Sequence, residues 1–136
     1  MFTNILVAVD PSHDEGQERA LATARKLAHD TYAEITALTV LEPVPAHLSE
    51  SLAHEAKVEA ADKAATALRR EIGKASEIRV IVRHGRAAHE IIQYAKENGV
   101  DCIIVASHRP GFSDYLIGST ASRVVRHAPC SVIVLR

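Results

Sequence analysis

The residue types best suited to chemistry lie in the last third of the sequence. Gly118, Ser119 and Thr120 precede a short helical pattern, where free backbone amides and the helix dipole favour an anion. His108 and Arg109 belong to the preceding loop, and a guanidinium fork matches the geometry of a phosphate. Together these residues predict a phosphate-bearing ligand. The Gly-Ser-Thr run is also typical of an ordinary helix cap, and the spacing alone does not separate the two interpretations.

A further polar position follows the first apolar run of the chain. Asp10 comes directly after residues 4–9 and before Pro11 and Ser12. Its carboxylate could cap the next helix, or it could accept hydrogen bonds from a ribose or a base. Both hypotheses stay open at this point.

Several common catalytic and metal-binding patterns do not occur in the sequence. There is no Gly-x-Gly-x-x-Gly after the first apolar run, no Gly-x4-Gly-Lys-Ser/Thr and no Gly-x-Ser-x-Gly. The histidines share no metal-ligand spacing, since even His84 and His89 are separated by a glycine turn rather than by one helical turn. No pair of carboxylates stands out as an acid and a base. We therefore expect neither a metal site nor an enzymatic reaction.

Composition and charge limit the class of protein further. Sixteen Lys and Arg face seventeen Asp and Glu, and the resulting net charge of −1 argues against a protein that coats nucleic acid. Cys102 and Cys130 are too few for a disulfide scaffold. No apolar run approaches the ~20 residues of a membrane helix, and the N-terminus has no signal-peptide pattern. We expect a soluble, cytoplasmic protein with one domain over residues 1–136, without nucleic-acid or membrane partners.

The elements that must position these residues alternate between short β-branched runs and longer helical patterns. Apolar runs predict five strands, at residues 4–9, 33–40, 77–82, 102–106 and 131–135. Helical spacing predicts four helices, at residues 17–28, 48–74, around Ala88 to Ala95, and 118–127. Strict alternation predicts an α/β fold, with a doubly wound parallel sheet and helices on both faces.

In such a sheet a ligand binds beyond the carboxyl ends of the strands, where the winding reverses. The reversal normally separates the first strand from the fourth. Asp10, the loop from Ser107 and the helix start at Gly118 should therefore meet there, flanked by residues 40–42.

Two segments resemble the universal stress protein family. IIVASHRPGFSDYLIGSTASRVVRHAPCSVIVLR, residues 103–136, is similar to the signature region of that family, and ILVAVDPS, residues 5–12, is similar to its opening strand and Asp. The element order matches along the whole chain. The resemblance implies a five-stranded parallel sheet in the order 3-2-1-4-5, with the adenine nucleotide alpha hydrolase-like fold. It also implies an adenine nucleotide as ligand, which is ATP in many members, with ADP or AMP as alternatives and Mg²⁺ accompanying ATP.

The chain departs from the Gly-x2-Gly-x9-Gly-Ser/Thr motif through which family members bind ATP. Ala106 stands at the position of the first glycine and Arg109 at that of the second. Eight residues, instead of nine, lie between Arg109 and Gly118. Gly118 and Ser119 match the end of the motif. A subgroup of the family carries Ser-His-Arg-Pro at this loop, and the chain resembles that subgroup. Arg109 would then offer its side chain to the phosphates.

The resemblance also implies which residues enclose the nucleotide. Those near adenine and ribose are Ala8, Val9, Asp10 and Val40, those on the ribose side are Val105 and Ala106, and those around the phosphates are Ser107, His108, Arg109, Gly118, Ser119 and Thr120. The family commonly dimerises through its last strand, here residues 131–135. An apolar edge strand is an aggregation liability unless it is paired, and a symmetric dimer would pair it.

Three functions remain open on these grounds. The first is a nucleotide-binding stress-response protein, a dimeric regulator that holds ATP without fast turnover. The second is a dimeric interaction module that has lost nucleotide binding, as the substitutions at Ala106 and Arg109 suggest. The third is an ATP-consuming enzyme, and it has the least support because no second-substrate motif is recognisable.

Overall fold

The computed structural model describes residues 1–10, 14–73, 76–107 and 118–136. Strands and helices alternate in the order β1 (Asn4–Val9), α1 (Asp14–Ala28), β2 (Glu34–Leu41), α2 (Glu50–Ile72), β3 (Arg79–His84), α3 (Ala87–Glu97), β4 (Cys102–Ala106), α4 (Ser119–His127) and β5 (Ser131–Leu135). The five strands form one parallel sheet in the order β3-β2-β1-β4-β5. The predicted fold class and strand order are confirmed.

The central strand β1 is buried on both faces of the sheet. Ile5 and Val7 face one apolar cluster, to which α1 and α2 contribute, while Leu6 faces a second cluster formed with α3 and α4. Because successive side chains of a strand point to opposite faces, the continuous run NILVAV fills both layers at once. Its neighbour β4 is equally buried from Cys102 to Val105.

The boundaries of β3 differ from the prediction by two residues. The sequence predicted a strand at 77–82, whereas pairing with β2 runs from Thr36 opposite Arg79 to Leu41 opposite His84. The prediction stopped early because Arg83 and His84 are polar. In the structure, Arg83 keeps its charge paired with acidic residues of α3, so it is compatible with the strand.

Smaller differences occur at other ends. The first helix begins at Asp14 rather than at residue 17, and β2 starts and ends one residue later than predicted. The helix predicted from residue 48 begins at Glu50, because Ser49 caps it: the Ser49 Oγ accepts a hydrogen bond from the Leu52 amide at 3.3 Å. It ends at Ile72, where Gly73 takes a positive φ of 93°.

Candidate functional site

A cleft of about 740 Å³ lies at the carboxyl ends of β3, β2, β1 and β4, above the first turns of α3 and α4. We call it the carboxyl-edge cleft. Seven residues of the predicted site line it: Ala8, Val9, Asp10, Val40, Val105, Ala106 and Thr120. The parallel sheet brings the first six together because its strands end at one edge, and the first turn of α4 contributes Thr120. The volume falls in the range of small-molecule pockets, about 300–1,000 Å³.

The Gly118 region begins α4 without a side-chain cap. Gly118 itself is the capping residue, with extended backbone angles, and its carbonyl accepts the first helical bond from Ser122 at 2.9 Å. Gly118 is thus the cap of α4, as the capping interpretation has it, while Ser119 and Thr120 lie in the first turn. Helix geometry leaves their amides and that of Ala121 without partners inside the helix.

Ser107 joins β4 to the start of α4. Its Oγ accepts a hydrogen bond from the Gly118 amide at 2.7 Å, and its own amide donates to the Leu135 carbonyl at 2.7 Å. Ser107, Gly118 and Ser119 are therefore next to the carboxyl-edge cleft without forming its lining. The predicted phosphate ligands His108 and Arg109 lie outside the described residues.

Asp10 is exposed at the carboxyl end of β1 and lines the cleft. It lies four residues before the first residue of α1, whereas a capping residue directly precedes its helix. Its place at the cleft is compatible with contact with a ligand, and both hypotheses for this carboxylate stay predictions.

A buried hydrogen bond holds the ends of β1 and β2 together beneath the cleft. The Thr39 hydroxyl donates to the Val9 carbonyl at 2.9 Å, and Thr39 is 1% exposed. One acceptor position of that carbonyl is thus used within the sheet. Ala8 and Val40 lie beside this bond, on the side of the sheet that carries α3 and α4.

The sequence prediction missed the part of the site that comes from the end of β3. Gly85, Arg86 and Ala87 line the carboxyl-edge cleft, together with Leu38, Leu41, Pro43, Ile91, Ala121 and the flanking residue Glu42. Had the strand been predicted to His84, the same rule that placed Asp10 at the cleft would have included Gly85 and Arg86. The premature strand end explains the omission.

Gly85 is required for the turn between β3 and α3. Its φ is +145°, its amide donates to the Leu41 carbonyl at 2.9 Å, and a Cβ there would lie 2.9 Å from Glu90 Oε1. A side chain at this position would be strained and would meet Glu90. The turn is thus fixed to the end of β2.

The two cysteines are free thiols held in their protonated form. Burial raises the pKa of Cys102 to about 11, with a smaller contribution from the neighbouring Cys130. Burial also raises the pKa of Cys130. Neither has the lowered pKa of a nucleophilic thiol.

Within the described ranges, no group of three or more His, Cys, Asp or Glu is arranged to hold a metal ion. Over the same ranges, no helix is both long enough and apolar enough to cross a membrane.

Comparison with known proteins identifies the family. A model described as the universal stress protein family matches residues 1–136. The chain belongs to the universal stress protein family. Universal stress protein G from Escherichia coli O157:H7 is 33% identical, over the full length of both chains.

Solved structures of the family share the fold. The structure of universal stress protein UspA from Lactobacillus plantarum is 31% identical, covers 99% of this chain and 98% of its own, and superposes with a TM-score of 0.78. A universal stress protein from Archaeoglobus fulgidus, solved in complex with dAMP, is 24% identical, covers 99% and 98%, and has a TM-score of 0.64. The chain has their adenine nucleotide alpha hydrolase-like fold.

Proposed function

We propose that this universal stress protein binds an adenine nucleotide, with ATP as the expected ligand, in the carboxyl-edge cleft. The observation that carries the proposal is the cleft itself, which has the volume of a small-molecule site. The carboxyl ends of β1 and β2 line it with Ala8, Asp10 and Val40, and the first turn of α4 adds Thr120. The Archaeoglobus relative was solved with dAMP, which supports an adenine nucleotide as ligand of this fold.

The direction of the nucleotide follows from where anions are favoured. The first turn of α4 offers free amides and the positive end of the helix dipole, so the phosphates would lie there. Asp10, at the end of β1, would accept hydrogen bonds from the ribose hydroxyls. The base would then extend past Val40 toward the ends of β2 and β3. Magnesium would arrive as part of the bound ATP.

Calorimetric titration of the purified chain with ATP, ADP, AMP and adenosine tests this function. We expect saturable binding of ATP and an increase in melting temperature with ATP concentration, because a ligand that binds only the folded state stabilises it. Absence of both effects at millimolar ATP would contradict the proposal.

A variant of Arg109 extends the same titration to the phosphate contact. Arg109→Ala should weaken ATP more than adenosine, because only ATP carries phosphates for the guanidinium. Arg126→Ala, in the last turn of the same α4 helix, is the matched control and should leave both affinities unchanged. Equal losses for ATP and adenosine in Arg109→Ala would show that Arg109 does not contact phosphate.

We also propose that the protein acts as a dimeric stress-response regulator without fast turnover. Residues Ser131–Leu135 form an edge strand that pairs with β4 on one side, and four of its five side chains are apolar and half-buried. Strand-to-strand pairing of two copies would cover that edge. Sedimentation equilibrium should give the mass of a dimer, and steady phosphate release from ATP should stay at background. Rapid release would instead favour an ATP-consuming enzyme.

Calorimetric titration and sedimentation equilibrium together separate this function from an interaction module. A dimer that binds no adenine nucleotide would favour a protein that has kept the fold and the interface and lost the ligand. A monomer that binds ATP would remove the dimer from the proposal. The cytoplasmic location stays a prediction from the sequence.

A further inference from the structure

The connection between β3 and α3 carries two arginines with different surroundings. Arg83 forms ion pairs with two glutamates: its Nη2 lies 2.9 Å from Glu97 Oε2, and its Nη1 lies 3.5 Å from Glu90 Oε2. Its guanidinium also lies 5.0 Å from the centre of the Tyr94 ring. These contacts join β3 to α3. Arg83 therefore has a structural role that accounts for its charge.

Arg86, three residues later, makes no comparable side-chain contacts with the described residues. Its side chain is exposed and lines the carboxyl-edge cleft, and within the described part of the chain it makes no hydrogen bond or ion pair. It is the capping residue of α3, yet its side chain makes no capping bond. The five N–H donors of the Arg86 side chain are thus available to a ligand.

The backbone of Arg86 is nevertheless held in place on both sides. The preceding Gly85 amide donates to the Leu41 carbonyl at 2.9 Å, and the Arg86 carbonyl accepts from the Glu90 amide at 3.0 Å. The fixed backbone places the guanidinium at this end of the cleft, so that binding has to order only the side chain.

Arg86 lies at the end of the cleft away from the predicted phosphate site. Three strand spacings separate β3 from β4, which amounts to about 14 Å across the sheet. With the phosphates at the start of α4 and the ribose at Asp10, the base is the part of the nucleotide that extends toward β3. Glu42 lines the same end, and within the described residues it also makes no ion pair or side-chain hydrogen bond.

We propose that Arg86 recognises the base of the bound nucleotide, donating hydrogen bonds to its ring nitrogens. Adenine carries such acceptors together with an exocyclic amine, for which Glu42 is an acceptor at the same end of the cleft. This inference rests on the proposed function and adds a specificity-determining residue to it. The recognised class is an adenine nucleoside or nucleotide.

Titration of Arg86→Ala with adenosine and with ATP tests the inference. The expected result is that both affinities fall by the same factor, about tenfold, because both ligands carry the same base. Arg86→Lys should recover little of the loss, since a lysine keeps the charge but not the planar fork of donors. The matched control is Arg79→Ala, at the opposite end of β3, which should bind both ligands like the unmodified chain.

Each alternative result has a defined meaning. A larger loss for ATP than for adenosine, recovered by Arg86→Lys, would show that Arg86 acts as a charge on the phosphates and would overturn the inference. Unchanged affinities in Arg86→Ala would also overturn it while leaving the proposed function intact. If the unmodified chain binds neither adenosine nor ATP, the proposed function fails and this inference fails with it. Circular dichroism of each variant should show the spectrum of the unmodified chain, as expected if the fold is retained.

Discussion

The two ends of the central strands use their polar groups differently. At the amino end, the Asp101 carboxylate accepts hydrogen bonds from the Thr3 amide at 2.8 Å, the Thr3 hydroxyl at 3.0 Å and the Asn4 amide at 3.1 Å. At the carboxyl end, Asp10 lines an open cleft. At the amino end a carboxylate therefore ties neighbouring segments together. The carboxyl end combines one buried bond, from the Thr39 hydroxyl to the Val9 carbonyl, with a ligand-sized cleft.

The pKa of Asp101 illustrates the first kind of end. Burial by itself would raise this pKa, but the hydrogen bonds from Thr3 and Asn4 outweigh burial and lower it. Asn4 makes a further hydrogen bond at this end of the sheet, since its Nδ2 donates to the Asn98 carbonyl at 2.8 Å. Local contacts account for the polar groups of this amino end.

Glycine substitutions should give the largest effect in this comparison. Gly85 borders the cleft, and Gly85→Ala should cost about 2–3 kcal/mol of unfolding free energy, because its φ of +145° is unsuited to a side chain and Glu90 occupies the space. Gly99, near the amino end, has a φ of +62° and open space around it, so Gly99→Ala should cost less. Urea unfolding compares the two. Equal costs would mean that the contact with Glu90 adds nothing.

Asp101→Ala should remove about 1.5 kcal/mol of stability at pH 7 and leave ATP affinity unchanged, since three hydrogen bonds to a partly exposed carboxylate are lost far from the cleft. Because folding lowers the pKa of Asp101, this contribution is present at neutral pH and declines as the pH falls from about 4 through the lowered pKa of the folded state. Urea unfolding of both chains at pH 7 and pH 3 measures the difference. A difference that is as large at pH 3 as at pH 7 would contradict a charge-dependent role.

Asp10→Ala should act on the ligand. We expect about a tenfold loss of ATP affinity, because a ribose hydroxyl loses its charged acceptor. Calorimetric titration measures the affinity, and urea unfolding of the same preparation measures the stability. A variant that loses stability and keeps its affinity would place Asp10 among the structural residues.

His84, at the end of β3, should give the smallest effect. Burial lowers its pKa, and the positive charge of Lys57 lowers it further. As the pH falls below about 6.5, the unfolded chain takes up the proton first, so the folded state loses stability relative to the unfolded state. His84→Gln should therefore show a shallower loss of stability between pH 7 and pH 5 than the unmodified chain. Parallel stability curves would contradict this.

The fold was predictable from local patterns, and part of the site was not. The strands at Asn4–Val9, Cys102–Ala106 and Ser131–Leu135 were predicted with their observed bounds, because each is apolar after at most one polar first residue. The end of β3 was predicted wrongly, because the ion pairs that let Arg83 lie in a strand come from Glu90 and Glu97 on the next helix. The pattern of polar residues along the chain does not reveal that Arg83 pairs with these two glutamates.

The cleft shows the same limit. Asp10, Val40 and Thr120 were predicted by the rule that ligands bind at the carboxyl edge, and they line the cleft. The bond between Ser107 Oγ and the Gly118 amide joins residues eleven positions apart, and no spacing rule in the sequence anticipates it. Arg86 depends on the register of β3 against β2, which sequence periodicity does not specify.

NMR mapping of the amide shifts that ATP induces tests most directly whether the nucleotide binds at the carboxyl end of the central strands and not at their amino end. In a spectrum of the labelled protein, titration with ATP should shift amides around the carboxyl-edge cleft, including Ala8, Asp10, Arg86 and Thr120. The amides of Thr3, Asn4 and Asp101 should stay in place, because their hydrogen bonds lie at the other end of the strands. Shifts concentrated at the Asp101 end, or no shifts at millimolar ATP, would contradict the account.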